Sequence, residues 1–180
     1  MEALNICIDQ FLKPLRADPS ILAADKVNAI FSNIEYILKI NTTLLTDLGE
    51  RMKSWSSEQC IGDLFVQMAP YLRIYTEYVS NFDNASAVLV ACEKQPAMAA
   101  FLKERFEDPA CKGQTLRAYL IQPVQRIPRY VLLLRELIRH THADDADRPA
   151  LCSALDKMQR VAEDINEQRR DAENRQLVSL

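Results

Sequence analysis

The sequence predicts an all-α fold, and three observations carry that expectation. Apolar side chains return every three or four residues along most of the chain, the period of a helix buried on one face. Only Gly49, Gly62 and Gly113 are glycine among 180 residues, too few for most β-rich folds, whose turns call for residues that accept positive φ. No stretch reads as a convincing strand. The composition, 48% hydrophobic and 26% charged, is that of a soluble globular chain, and its length suits one domain or at most two small ones. A chain of this size buries roughly 70% of the surface its unfolded form exposes, so it needs no metal or disulfide staple.

Leu4, Ile8, Phe11 and Leu15 form the first helical stripe, at spacings of 4, 3 and 4. Pro14 falls inside it, so the last turn is expected to be kinked or loosened. Ile30, Ile34, Ile37, Leu44 and Leu48 make a second stripe, while Phe31, Leu38, Leu45 and Met52 recur every seven residues. Two apolar edges on one helix predict packing against more than one neighbour. Gly49 is awkward inside that helix, and the Ser54–Ser57 stretch closes it. From Ile61 to Glu93 the pattern predicts one or two helices broken near Pro70, with a helix from about Tyr71 onward. Phe65, Tyr71, Tyr75, Tyr78 and Phe82 crowd this region. With no basic groove beside them, they suit a core or a partner-facing surface better than a stacking platform for bases. Gln95-Pro96 opens a short helix at proline's tolerated first position, running through Phe101 and Phe106. Asp108-Pro109 and Gly113 mark the loop that follows.

Leu116, Leu120, Val124, Ile127, Val131, Leu134 and Ile138 then form an unbroken seam, spaced 4, 4, 3, 4, 3 and 4. Leu132, Leu133 and Leu137 occupy other faces, so the helix reads as apolar nearly all round from Val131 and is expected at the centre of a bundle. Its two interior prolines, Pro123 and Pro128, each remove a backbone donor at a cost of ~3 kcal/mol in a helix interior, which predicts a bend or exposed backbone there. Asp144 to Pro149 forms a polar break with helix-start chemistry, Asp147 ahead of Pro149. The last helix carries Leu151, Leu155, Met158, Ala162 and Ile165 at spacings of 4, 3, 4 and 3. Beyond Glu167 it turns highly charged, through Arg169, Arg170, Asp171, Glu173 and Arg175, and reads as an exposed stalk. Leu177, Val178 and Leu180 end it on an apolar note.

Residues with chemistry are few. The formal charge of −3 argues against a nucleic-acid binder, which would show a strongly basic face. G-x-G-x-x-G, G-x-x-x-x-G-K-[ST], G-x-S-x-G and H-E-x-x-H are all missing, which speaks against an ATP- or NAD-binding enzyme and against the common hydrolases. His140 and His142 read as solvated residues near a helix end, and neither has a Glu three residues before it as a di-iron bundle would require. Carboxylate pairs such as Glu163–Asp164 and Asp144–Asp145 suit a solvated helix surface. Cys7, Cys60, Cys92, Cys111 and Cys152 are odd in number and never in C-x-x-C, as expected of buried reduced thiols in a cytosolic protein. No apolar run approaches the ~20 residues needed to cross a membrane, and no targeting segment opens the chain. A basic amphipathic surface for lipid is the remaining class, but its nearest candidate, Arg126, Arg129, Arg135 and Arg139, lies on a helix read as too buried for it.

The unusual polar residues are Gln122, Gln125, Arg126 and Arg129, on one flank of an otherwise apolar helix. Either they hydrogen-bond neighbouring helix ends and solvent, or they form a protein-docking face beside the two prolines. The string Leu120-Ile121-Gln122-Pro123-Val124-Gln125-Arg126-Ile127-Pro128-Arg129-Tyr130-Val131-Leu132-Leu133-Leu134-Arg135-Glu136-Leu137 closely resembles the most diagnostic block of Dbl-homology domains. Those domains are the catalytic modules of guanine nucleotide exchange factors for Rho-family GTPases. Phe11-Leu12-Lys13-Pro14-Leu15 resembles the family's first helix, and Met158-Gln159-Arg160-Val161-Ala162-Glu163-Asp164-Ile165-Asn166-Glu167 its final one. The resemblance spans nearly the whole chain in the right order.

What the resemblance implies is one Dbl-homology domain over residues 1–180, an elongated bundle of about six long helices. It implies a GTPase surface built from the first helix, the diagnostic helix and the last long helix, acting without cofactor, metal or covalent chemistry. The family's lysine and its asparagine or aspartate that meet switch II fall here at Gln122 and Gln159, which keep hydrogen-bonding capacity without the lysine's charge. Ile121 and Val124 fall where family members discriminate among Rho, Rac and their relatives. Gln125, Arg126 and Asn166 complete the implied GTPase-facing set, Arg126 more as a brace of the fold than as a contact. A Thr-Glu pair early in the family's first helix falls just upstream of Met1, so the chain is expected to be clipped there, and Glu2 does not take that role. A pleckstrin-homology domain is expected to follow in the parent protein, Leu177, Val178 and Leu180 fitting a helix cut near that junction. The implied partner is a Rho-family small GTPase met in the cytoplasm, with any membrane recruitment left to other domains. The alternative reading is a catalytically silent helical scaffold that binds a GTPase or another protein.

Overall fold

A computed structural model describes residues 1–178, with side chains described to Asp171 and at Asn174, so the apolar end Leu177, Val178 and Leu180 lies outside the described side chains. Every regular element among the described residues is helical, and the chain divides into two compact units. Met1–Leu38 with Glu77–Val124 makes the first, and Lys39–Thr76 with Gln125–Leu180 the second.

In the first unit, α1 (Glu2–Ile6), a π-helical stretch (Cys7–Leu12) and α2 (Lys13–Ala17) follow without a gap. Leu4, Ile8, Phe11 and Leu15 are all buried, as their spacing predicts. The loosening expected from Pro14 appears as the widened stretch just ahead of it, where the Gln10 carbonyl meets no proline N–H. Phe11 packs edge-on to Phe101 with centroids 6.4 Å apart and lies 5.9 Å from Tyr119, geometries aromatic quadrupoles favour. The stripe read as one helix from Ile30 to Met52 is two. α3 (Ala24–Phe31) ends at Ser32, whose φ of 47° leaves the helical region, and α4 (Ile34–Lys53) begins afresh. The second apolar edge is correspondingly shorter than expected. Phe31 is buried, but Leu45 and Met52 are 54% and 60% exposed, so that edge does not earn a second neighbour along α4.

α6 (Tyr75–Cys92) and α7 (Pro96–Glu107) follow, with a 3-10 turn at Pro109–Cys111. Asp108 closes that turn by accepting from the Ala110 N–H at 2.8 Å, and Lys112 and Gly113 reverse the chain at φ of 48° and 63°. Tyr78 is buried and donates its hydroxyl to the Leu120 carbonyl at 2.7 Å. Cys7, Cys92 and Cys111 are buried free thiols, whereas Cys152 is exposed on the final helix and Cys60 is half-buried, so burial is not the common property of the five.

In the second unit, α5 (Gly62–Met68) leads into a 3-10 stretch (Ala69–Ile74), which is the break expected near Pro70. α5 packs across α9 (Arg148–Val178). Gly62 makes that approach possible, since a Cβ there would lie 2.4 Å from the Leu151 nitrogen. Asp147, itself buried, accepts from the Ile61 and Gly62 N–H groups at 2.8 and 2.9 Å while its own carbonyl accepts from Leu151 at 2.9 Å. One residue thus caps two helix starts. Arg51 grips Asp63 in a two-pronged pair at 2.8 and 2.7 Å and also donates to the Cys60 carbonyl.

The core face of α9 is Leu151, Ala154, Met158, Val161 and Ile165. It is turned slightly from the expected stripe, Leu155 and Ala162 being only half-buried. α8 (Leu116–Arg139) is helical through both prolines, and Leu116, Leu120, Ile127 and Leu134 are its buried seam. The expectation of an all-round buried helix fails beyond Val131: Leu132 and Leu133 are 58% and 60% exposed, and Leu137 is exposed as well. The seam alone was sufficient for packing, so the other leucines were left to solvent.

Candidate functional site

α8 begins in the first unit, where Ile121, Gln122 and Val124 are partly exposed and Pro123 is buried. Pro123 withholds the N–H that would meet the Tyr119 carbonyl. The Tyr78 hydroxyl bond to Leu120 adds a tertiary anchor to the same turn. Glu2, at the start of the same unit, is paired with Lys112, which holds its carboxyl below the usual range.

In the second unit α8 continues with Gln125 and Arg129 exposed and Arg126 half-buried. Arg126 turns inward. Its Nε donates to Asn41 Oδ1 and to the Tyr130 hydroxyl, both at 2.9 Å, and its guanidinium stands 5.3 Å from the Tyr130 ring centroid. Tyr130 donates to the same Asn41 oxygen at 2.8 Å, and Asn41 Nδ2 donates to the Tyr75 hydroxyl at 2.5 Å. Burial raises the Tyr75 phenol well above its ordinary range, so the ring stays neutral. The bracing role expected of Arg126 thus has a physical form, an interior polar cluster on α4, α6 and α8. Asn41, Tyr75 and Tyr130 were not singled out as site residues by sequence reasoning. A signal existed for Asn41, which occupies a stripe position between Ile37 and Leu44 where an apolar residue is the rule.

On α9, Gln159 is half-buried and Asn166 exposed. Seven residues apart on one helix, they share a flank about 100° round from the core seam, each next in sequence to a buried residue, Met158 and Ile165. Arg160 beside them is tied to Asp156 at 3.1 Å. Among the described residues no group of three His, Cys, Asp or Glu side chains is placed to hold a metal ion, and no helix is long and apolar enough to cross a membrane. In the first unit the open part of α8 offers an amide and apolar contacts, and in the second unit α8 and α9 offer amides and exposed guanidinium groups, in each case chemistry suited to docking a protein.

Comparison with known proteins gives these helices a family context. A family model described as RhoGEF domain matches residues 1–166. Guanine exchange factor for Rac 30 of Dictyostelium discoideum is 40% identical over 173 residues, 96% of this chain and 10% of its own length. Human Rho guanine nucleotide exchange factor 10 is 34% identical over 180 residues, 97% of this chain and 13% of its own. The chain therefore spans about a tenth of the curated relatives it matches first. Among solved structures, the PDZ-RhoGEF DH/PH domains in complex with GTP-gamma-S activated RhoA share the fold at a TM-score of 0.90 and 20% identity, covering 99% of this chain and 52% of that one. The activated truncation of Vav1 in its apo state matches at a TM-score of 0.86 and 29% identity, covering 98% of this chain and 44% of that one.

Proposed function

This chain belongs to the RhoGEF family, the Dbl-homology domains, and we propose that it is an exchange module that binds a Rho-family small GTPase through its switch regions and promotes release of GDP for loading of GTP. The observation that carries the reading is the 120–137 block: it forms part of one helix whose flank leaves Gln125 and Arg129 to solvent while Arg126 is held inside. The names of the relatives, which pair exchange with Rac and Rho, support the same partner class. The solved DH/PH pairs support a pleckstrin-homology domain beside this one in the full-length protein.

The chemistry is non-covalent. The module grips both switch regions, distorts the magnesium and phosphate site, and stabilises the empty GTPase. Binding energy alone shifts the nucleotide equilibrium, ~1.4 kcal/mol for each tenfold change in affinity. In this reading Gln122 on α8 and Gln159 on α9 hydrogen-bond switch II, and Asn166 extends the α9 contact. Ile121 and Val124 meet residues that differ between Rho and Rac, and Gln125 lies beside them with Arg126 behind.

Release of a fluorescent nucleotide from a panel of Rho-family GTPases tests the reading. Acceleration on at least one is the expected result, and none on any member overturns it. Gln122→Glu and Gln159→Ala are expected to slow release at unchanged helicity; full activity in both would displace the residue roles. Glutamine at both switch-facing positions, in place of a lysine and an asparagine or aspartate, favours one second reading, a scaffold that binds without exchange. Co-elution with a nucleotide-free GTPase but no accelerated release would support it.

A further inference from the structure

α8 faces an internal problem at its functional turn. Pro123 and Pro128 supply no N–H, so the carbonyls of Tyr119 and Val124 have no ladder donor. The helix nevertheless runs through both prolines without interruption. With two ladder bonds missing, contacts from outside α8 carry more of the load in holding the turn that presents Gln125 and Arg129.

In the second unit Asn41 is placed to help do so. It is 2% exposed, and its single amide oxygen accepts from both Arg126 and Tyr130 while its nitrogen reaches Tyr75. Tyr130 is in turn wedged edge-on against Phe65, centroids 5.9 Å apart. Arg126 and Tyr130 are one helical turn apart on α8, so the two contacts fix that turn's rotation as well as its height. A buried polar hub that is fully bonded gives orientation that apolar packing does not, because each bond has a preferred direction. The exposed Gln125 and Arg129 are carried on the back of the same turn.

We propose that Asn41 is a positioning residue for nucleotide exchange: the hub it forms with Tyr75, Arg126 and Tyr130 sets where the Gln125–Arg129 flank meets the GTPase. This rests on the exchange reading. Asn41→Leu removes the three bonds to Asn41 at similar volume and leaves only the Arg126–Tyr130 bond, whereas Asn41→Asp keeps acceptors for Arg126 and Tyr130. Tyr75→Phe deletes one oxygen and leaves the ring.

The measurement is nucleotide release as a function of exchange-module concentration, beside thermal melting of each variant. For Asn41→Leu the maximal release rate is expected to fall about tenfold while the half-saturating concentration moves less than about threefold, the mark of a group that acts after encounter. Asn41→Asp is expected to recover to within about threefold of the parent and Tyr75→Phe to lie between. A folded Asn41→Leu at the parent's maximal rate overturns the proposal. So does an Asn41→Asp that melts with the parent yet is as slow as Asn41→Leu. If Asn41→Leu does not fold, Tyr75→Phe decides, and a parental rate there overturns it. Should the parent itself fail to accelerate release, the exchange reading falls separately. Amide exchange across Gln125–Arg129 then judges the hub, faster in Asn41→Asp or Tyr75→Phe supporting it and unchanged in both overturning it.

Discussion

Asp147 shows how much one side chain can organise. Its carboxylate takes two N–H groups at the start of α5 and its carbonyl opens α9, so removing the carboxylate strands one buried and one half-buried donor at once. Hydrogen bonds to a charged group contribute ~1.5–3 kcal/mol each in mutational series, less when water enters the gap. Asp147→Ala is therefore expected to cost about 2–3 kcal/mol in urea unfolding, and a loss under about 0.5 kcal/mol would show the caps are idle. Gly62→Ala probes the same joint sterically. Its new Cβ would sit 2.4 Å from backbone that cannot swing away, so the helices must part, at a cost of about 1–3 kcal/mol. Nearby, the Arg51 guanidinium holds the Asp63 carboxyl below its ordinary value of 3.8. A depressed folded value means the unfolded chain binds the proton first, so the pair stabilises above pH ~4 and that contribution is lost as pH falls through the folded value. Arg51→Met is expected to flatten the acid limb of a stability-against-pH curve in that window, and an unchanged limb would remove the pair from the account.

At the scale of an element, α8 separates the leucines that fold the protein from those that do not. Leu134 is 2% exposed and Leu132 is 58% exposed, two residues away. Leu134→Ala is expected to cost about 2–5 kcal/mol through lost transfer energy and the cavity left behind. Leu132→Ser should change stability by no more than ~0.5 kcal/mol, both read from chemical denaturation. Equal losses would mean the seam was misassigned. The same contrast marks what was legible beforehand. Of the seven residues the 4 and 3 spacing picked out, Leu116, Leu120, Ile127 and Leu134 are buried and Val124, Val131 and Ile138 half-buried, because burial on one face leaves that period in any sequence while the edges of the face stay partly open. It left the fate of Leu132 and Leu133 open, since leucine outside a seam is compatible with a second interface or with solvent. The break at Ser32 escaped notice because nothing local requires a positive φ at a serine; the turn is imposed by tertiary contacts such as the buried Asn33 amide bonded to Glu77 at 3.2 Å. Arg126 was legible as a brace, whereas its partners on α4 and α6 lie 85 and 51 positions away in sequence, a separation that single-sequence periodicity does not span. The family block itself was the strongest signal for function, and the role proposed for Gln122 comes from it, while those proposed for Gln159 and Asn166 come from the resemblance of residues 158–167 to the family's final helix.

For the molecule as a whole, exchange is a statement about two equilibria that share one complex. If the module lowers the GTPase's affinity for GDP by some factor, GDP must lower the GTPase's affinity for the module by the same factor. A silent scaffold binds loaded and empty GTPase alike, and then both factors are one. An exchange module binds the empty form better, and its selectivity sets the limit on how far nucleotide can be loosened. The two measurements are independent: titration of the module against empty and GDP-loaded GTPase, and titration of GDP with and without saturating module. Both ratios are expected to exceed about a hundredfold, equivalent to ~2.7 kcal/mol of coupling. Excess GTP or GDP should then dissociate the isolated complex on a size-exclusion column. A ratio near one in both titrations would leave the fold and the family in place and remove exchange from this chain's repertoire.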